Sequence, residues 1–190
     1  MMNRGYFKSS FKDKVKSLYL KDDVLSFLKL MRKCQFYSQR NNLWGGGKYA
    51  YYYALYNRIS KKLGFSIGYN VFGYGLVIPH YGTIVVGGNN RCGNYCVLHT
   101  STCITGNGKV IGDAFYLSTG AKVTSKVVLG DNVSVGANSV VNKSVIDGNV
   151  MIAGTPAKVI KSTVAWYIRD GESFSSKVNA IENLRQKMKL

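Results

Sequence analysis

The sequence predicts a mainly β protein. The middle of the chain winds as a triangular coil of six-residue rungs, between an N-terminal helical segment and a C-terminal helix. Three observations carry this. Aliphatic residues recur at every sixth position, as in Ile111, Leu117, Val123, Leu129, Val135 and Val141. The middle of the chain is rich in Gly and Val. Helical spacing of apolar residues is confined to the two ends.

A chain of 190 residues has room for one domain and an appendage. Its 46% apolar and 13% aromatic residues exclude a disordered polybasic tail, in spite of a net charge of +17. No apolar run is long enough to span a bilayer, and the first residues lack the apolar core of an export signal, so a cytoplasmic protein is expected. The charge divides the chain into three parts. Residues 1–64 hold 14 basic and 3 acidic side chains; residues 65–160 and residues 161–190 each hold 6 and 3.

In the basic N-terminal segment, 1–64, Val15, Leu18, Tyr19, Val24, Leu25, Leu28 and Leu30 follow a helical spacing. Asn41-Asn42 and Gly45-Gly46-Gly47 interrupt it, and a second helix is predicted over Tyr49 to Leu63, ending at Gly64. Its apolar stripes suit a cap packed on the rest of the protein or on a sister subunit. Its charge suits peripheral contact with an anionic membrane or glycan. No nucleic-acid motif accompanies the charge, so no nucleic acid is expected as partner.

Residues 65–160 carry twelve hexads. Besides the long run, Cys92, Leu98 and Ile104 form one series and Phe72, Ile78 and Ile84 another. The position four residues on is small or apolar at Phe115, Ala121, Val127, Val133, Ser139 and Val145. Three hexads make an 18-residue turn, and stacked turns form parallel sheets around one core. Gly and Asn at the corners are read as relieving positive φ. The period slips between Ile84 and Cys92 and between Ile104 and Ile111, which predicts outward bulges at Gly87-Gly88-Asn89-Asn90 and near Gly106-Asn107-Gly108.

Candidate chemistry is sparse. Cys92, Cys96, His99 and Cys103 are metal-ligating types, but their spacing lacks paired knuckles and the repeat gives them packing positions; no metal is expected. The two histidines, His80 and His99, fall near one edge on consecutive coils, about 5 Å apart along the axis. His80 is the candidate base and His99 a contributor.

Three segments resemble a known family. Asn70 to Gly87, which contains Gly75-Leu-Val-Ile-Pro-His80-Tyr-Gly-Thr-Ile-Val-Val, looks like the active-site coils of the serine acetyltransferase-like branch of hexapeptide-repeat acyltransferases. Asn94-Tyr-Cys-Val-Leu-His99 is similar to a piece seen in its polysaccharide-locus members, and Ile152-Ala-Gly-Thr-Pro-Ala-Lys-Val-Ile resembles the closing motif of the superfamily. The resemblance covers roughly residues 48–161. It implies a left-handed parallel β-helix, a homotrimer with active sites between subunits, and acetyl transfer from acetyl-CoA to a hydroxyl with His80 as general base. The positions matching cofactor contacts are Ser118, Thr119, Gly136, Ala137, Asn142 and Lys143, with Lys158 and Lys161 for the ribose phosphate.

Two departures bear on the acceptor. The family's acidic residue before the histidine is Pro79 here, and Ser66 stands near the upstream carboxylate position. No Asp or Glu occurs between Asp23 and Asp113. An ammonium-bearing acceptor such as serine then lacks a partner, and a saccharide hydroxyl of a surface glycan or its precursor is expected instead. Serine O-acetylation is the alternative, and a non-enzymatic basic binding protein a further one. The carbonic anhydrases of this fold resemble a three-histidine site, which two histidines do not supply. In the tail, 161–190, Ser176 to Leu190 is read as an amphipathic helix with Val178, Ile181, Leu184 and Met188 on one side, capping the coil end or covering a cofactor groove.

Overall fold

A computed structural model describes residues 22–40 and 43–188. The early apolar positions Val15, Leu18 and Tyr19 lie outside the described residues. Two helices come first, α1 (Asp23–Ser38) and α2 (Leu43–Leu63). The Asp22 carboxylate caps α1 by accepting the Leu25 N–H at 3.1 Å. α2 begins at Leu43 rather than Tyr49, so Gly45, Gly46 and Gly47 lie inside a helix. Glycine is a poor helix former, but it is not a stop.

The coil follows, with three faces. One is the sheet β1 (Phe65–Ile67), β2 (Ile84–Val86), β5 (Thr102–Ile104), β8 (Lys122–Val123) and β11 (Val140–Val141). The second is β3 (Arg91–Cys92), β6 (Val110–Ile111) and β9 (Val128–Leu129). The third is β4 (Val97–Leu98), β7 (Tyr116–Leu117), β10 (Ser134–Val135), β12 (Val150–Gly154) and β13 (Ala157–Ser162). All the pairings are parallel except β12 with β13, and the architecture is that of a left-handed β-helix.

The hexad residues form the interior. Ile78, Leu98, Leu117, Val135 and Ile152 stack as one wholly buried column along the third face. Burying each such side chain contributes about 1.5–3 kcal/mol. One register differs from the sequence reading. Val86, not Ile84, pairs with Ile104, and Ile84 pairs with the small position Thr102. Val86 to Cys92 is therefore a regular hexad. The two extra residues sit between Ile78 and Val86, on the corner that carries His80.

The glycines serve two separate purposes. Gly93, Gly112, Gly130 and Gly136 follow inward hexad residues, yet none has a positive φ. A Cβ on Gly112 would stand 2.7 Å from the backbone nitrogen of Asp131 on the next coil. Close approach of coils excludes the side chain there. Positive φ is taken elsewhere, as expected from the sequence, by glycines such as Gly106, Gly108 and Gly120 and by Asn132, Asn138 and Asn149.

The helical pair closes the first coil. Phe27 stacks on Tyr56 and meets Phe65 edge-on, both at 5.0 Å between centroids, and Tyr56 donates to the Ile67 carbonyl at 2.6 Å. Arg32 donates to the carbonyls of Phe72 and Gly73. At the other end of the chain, α3 (Trp166–Arg169) and α4 (Glu172–Met188) lie on the outer side of the third face, not over the end of the coil. Trp166 donates to the Tyr95 carbonyl at 2.7 Å, and Glu182 accepts from Tyr74 and Tyr95. Val178 is buried and Ile181 half-buried against that face, but Leu184 and Met188 are exposed, because α4 contacts the coil through a narrower stripe than its sequence suggests.

Candidate active site

The corner between the third and first faces holds both histidines. In successive coils Ile78 stacks on Leu98 and Leu98 on Leu117, so the residues just after them, Pro79-His80, His99 and Ser118, line one edge. The later corners on this edge span six residues, and the His80 corner spans eight. The surplus pushes Pro79 to Thr83 outward, where His80 and Tyr81 are exposed. A rigid coil with one lengthened corner is a suitable mount for a reactive side chain.

His99 is half-buried, with its Nε2 2.7 Å from the Tyr116 hydroxyl. Its backbone carbonyl accepts from Thr102 Oγ1 at 2.7 Å. Burial holds the imidazole below its ordinary value, the nearby His80 adds to that, and Asp170 opposes it. His99 is thus biased to the neutral form. Among the described residues, no hydrogen bond to the His80 ring is formed.

Tyr116 links this pair to a group far away in sequence. The Arg169 guanidinium lies 4.9 Å from the centroid of the Tyr116 ring, donates to Ser134 Oγ at 3.0 Å and pairs with Asp170 at 2.7 Å. α3 therefore brings a cation and a carboxylate to the histidine edge. The acid-free stretch from Asp23 to Asp113 does not leave that edge without a carboxylate, because Asp170 arrives from the tail. Tyr116 was findable in the sequence: it lies 17 residues after His99, two positions short of the 19-residue turn that stacks Leu98 on Leu117. Arg169 and Asp170 had no such signal, since only docking of the tail places them.

The cofactor candidates separate into groups. Ser118, Thr119, Gly136 and Ala137 continue the histidine edge along the coil, with Ser118 N–H donating to Val135 and Asn138 N–H to Thr119. Lys158 pairs with Ala153, and Lys161 with Met151, at the far margin of the third face. Asn142 and Lys143 are exposed on another corner, beyond β11 on the first face, and one chain does not bring them to the histidine edge. Cys92 and Cys96 are buried inside the coil, whereas His99 faces outward. Among the described residues, no cluster of three or more His, Cys, Asp or Glu could hold a metal ion.

The chain resembles known proteins in sequence and shape, although no family profile matches it. It is 28% identical over 145 residues to a serine acetyltransferase of Buchnera aphidicola, covering 72% of this chain and 53% of the relative. It is 31% identical over 121 residues to that of Staphylococcus xylosus, covering 57% and 56%. The chain thus spans about half the length of these curated relatives. Among solved structures, a serine O-acetyltransferase from Brucella melitensis superposes with TM-score 0.63 and 25% identity, over 85% of this chain and 63% of that one. A serine acetyltransferase complexed with CoA shares the fold, with TM-score 0.59 and 22% identity over 76% of this chain and 60% of the other.

Proposed function

We propose that this chain, which is similar to serine acetyltransferases in sequence and fold, is an acyltransferase of the serine acetyltransferase-like branch of the hexapeptide-repeat proteins and transfers an acetyl group from acetyl-CoA to an alcohol hydroxyl, with His80 as general base. The observation that supports this is the exposed histidine on a lengthened corner, next to a second, neutral-biased histidine. An alcohol is a poor nucleophile towards a thioester until it loses its proton. The imidazole takes that proton as the new C–O bond forms and returns it to the departing CoA thiolate. No covalent enzyme intermediate is needed. An N–H donor near the carbonyl oxygen would stabilise the developing charge.

CoA fits along the edge past His99, against Ser118, Thr119, Gly136 and Ala137, with Lys158 and Lys161 offsetting phosphate charge. Asn142 and Lys143 would reach the same CoA only from a neighbouring copy. A homotrimer with its sites between subunits supplies that arrangement. A reaction that consumes acetyl-CoA suits the cytoplasm.

The acceptor that the relatives' names support is L-serine. The Arg169–Asp170 pair offers opposite charges for a zwitterion's carboxylate and ammonium near the same edge. A saccharide hydroxyl is the second reading. It is favoured by Pro79 standing where the family holds an acid, which leaves the position next to His80 without charge.

The test is thiol release from acetyl-CoA with L-serine or with de-O-acetylated surface glycan as acceptor. His80→Ala is expected to lower turnover by a factor of about 10²–10⁴ while acetyl-CoA binding persists. Turnover with serine whose KM rises in Asp170→Asn supports the first acceptor, and turnover with glycan alone supports the second. Unchanged turnover in His80→Ala would remove the general-base assignment.

A further inference from the structure

The exposed side of α2 is not used by the chemistry proposed above. At its start Leu43 and Trp44 are 93% and 82% exposed. Trp44, Lys48, Tyr51, Arg58 and Lys62 are spaced at four, seven, fourteen and eighteen residues from the first, which puts them on one side of the helix, and all are exposed. α2 carries four cations and no carboxylate; among the described residues Lys62 alone pairs with a carboxylate, that of Asp23 of α1 at 2.6 Å. On the neighbouring surface, Lys33 lies over the Tyr52 ring at 4.5 Å and Arg40 over an exposed Phe36 at 4.6 Å. The helix therefore presents an apolar, aromatic end and a cationic end to solvent, at the end of the molecule opposite β13.

From this juxtaposition we propose that α2 docks the protein on an anionic lipid surface, with Leu43 and Trp44 entering the headgroup boundary and Lys48, Arg58 and Lys62 facing the lipid charge. Tryptophan and tyrosine favour that boundary, and cations near it are attracted by anionic headgroups. An aliphatic side chain beside an exposed Trp gains nothing from a phosphodiester backbone, which argues for lipid over nucleic acid. Two copies of this face would set like charges against each other, which argues against self-association through it.

The chain contains two tryptophans, and this makes the test direct. Trp166 is 2% exposed and hydrogen-bonded, so its emission is a constant background, while Trp44 reports contact. The full chain is mixed with vesicles of phosphatidylglycerol and phosphatidylcholine, or of phosphatidylcholine alone, and followed by emission and co-sedimentation. A blue shift and pelleting with the anionic vesicles only, weakened by salt, is expected. Trp44→Phe should abolish the shift. Replacing Lys48 and Arg58 by Gln should weaken binding by more than tenfold, at about fivefold for each cation. Trp166 emission certifies that the variants remain folded. The proposal is overturned by absence of binding to anionic vesicles, by equal binding to neutral ones, by binding to RNA in place of vesicles, or by concentration-dependent self-association that Trp44→Ala removes without any vesicle binding.

Discussion

Gly112→Ala and Gly46→Ala are the same chemical change with opposite expected signs. On Gly112 an added Cβ stands 2.3 Å from Asp131 Oδ1 and 2.7 Å from both the Asp131 nitrogen and the Gly130 carbonyl carbon. Ordinary contact begins near 3.4 Å, so the shortfall against backbone is about 0.7 Å. Two of these atoms belong to the next coil's main chain and cannot swing aside. The same Oδ1 accepts the Asp113 N–H at 2.7 Å, so relief also strains a charge-assisted bond. Overpacking typically costs about 1–3 kcal/mol, and weakening a solvent-exposed bond adds roughly 1 kcal/mol. The sum is about 2–4 kcal/mol, a large share of the roughly 5–15 kcal/mol that holds a domain together. Gly46 lies inside α2 with nothing within 4 Å of an added Cβ. Alanine there reduces the entropy lost on folding and should stabilise by about 0.5–1 kcal/mol. Urea unfolding followed by far-ultraviolet circular dichroism reads both. Midpoints that shift in the same direction, or a Gly112→Ala loss below about 0.5 kcal/mol, would refute close coil approach as the reason for glycine after the inward residue.

Three further outcomes are expected. Tyr116→Phe removes the contact with His99 Nε2 but keeps the ring beneath Arg169, so stability should fall by about 0.5–1.5 kcal/mol and the His99 resonance should shift in an NMR titration, with an unmoved resonance counting against the contact. The folded value of His99 lies below its unfolded one, so its neutral form is favoured: stability is full above about pH 6.5 and declines as pH falls toward the folded value, and His99→Gln should flatten the thermal-unfolding profile over that range. Cys34, Cys92 and Cys96 are buried, with thiols pushed up to about 11 for Cys34, about 12 for Cys92 and well above the ordinary value for Cys96. A thiol reagent should therefore modify only the partly exposed Cys103 in the native protein and all four cysteines in denaturant.

Much of the coil was legible because its period is local. A residue such as Leu117 points inward for the same reason as Leu98 and Val135, and eighteen residues bring the chain back to the same face whatever surrounds it. The reading failed where two local solutions were equally good. Ile84 and Val86 are both aliphatic and both buried, and only pairing with Thr102 and Ile104 decides which one continues the column. That choice moved the insertion from Gly87–Asn90 to the His80 corner. Likewise, a run of three glycines looks like a helix stop, but α2 extends through it, with Gly45 buried and Gly46 and Gly47 exposed.

By itself, the sequence determined the solenoid, the inward columns, the shared edge of His80 and His99, and the basic character of the N-terminal helices. Each of these follows from spacing or composition within one or two turns. Only the tertiary structure decided that Tyr116 holds His99, that Arg169 and Asp170 reach the same edge, and that Asn142 and Lys143 do not. Those relations depend on how the tail packs across the third face and on which corner each residue occupies. Contacts between residues 35 or 71 positions apart, such as Arg169 with Ser134 and Trp166 with Tyr95, are set by the burial of Trp166 and Val178 against the coil, which no repeat in the chain encodes.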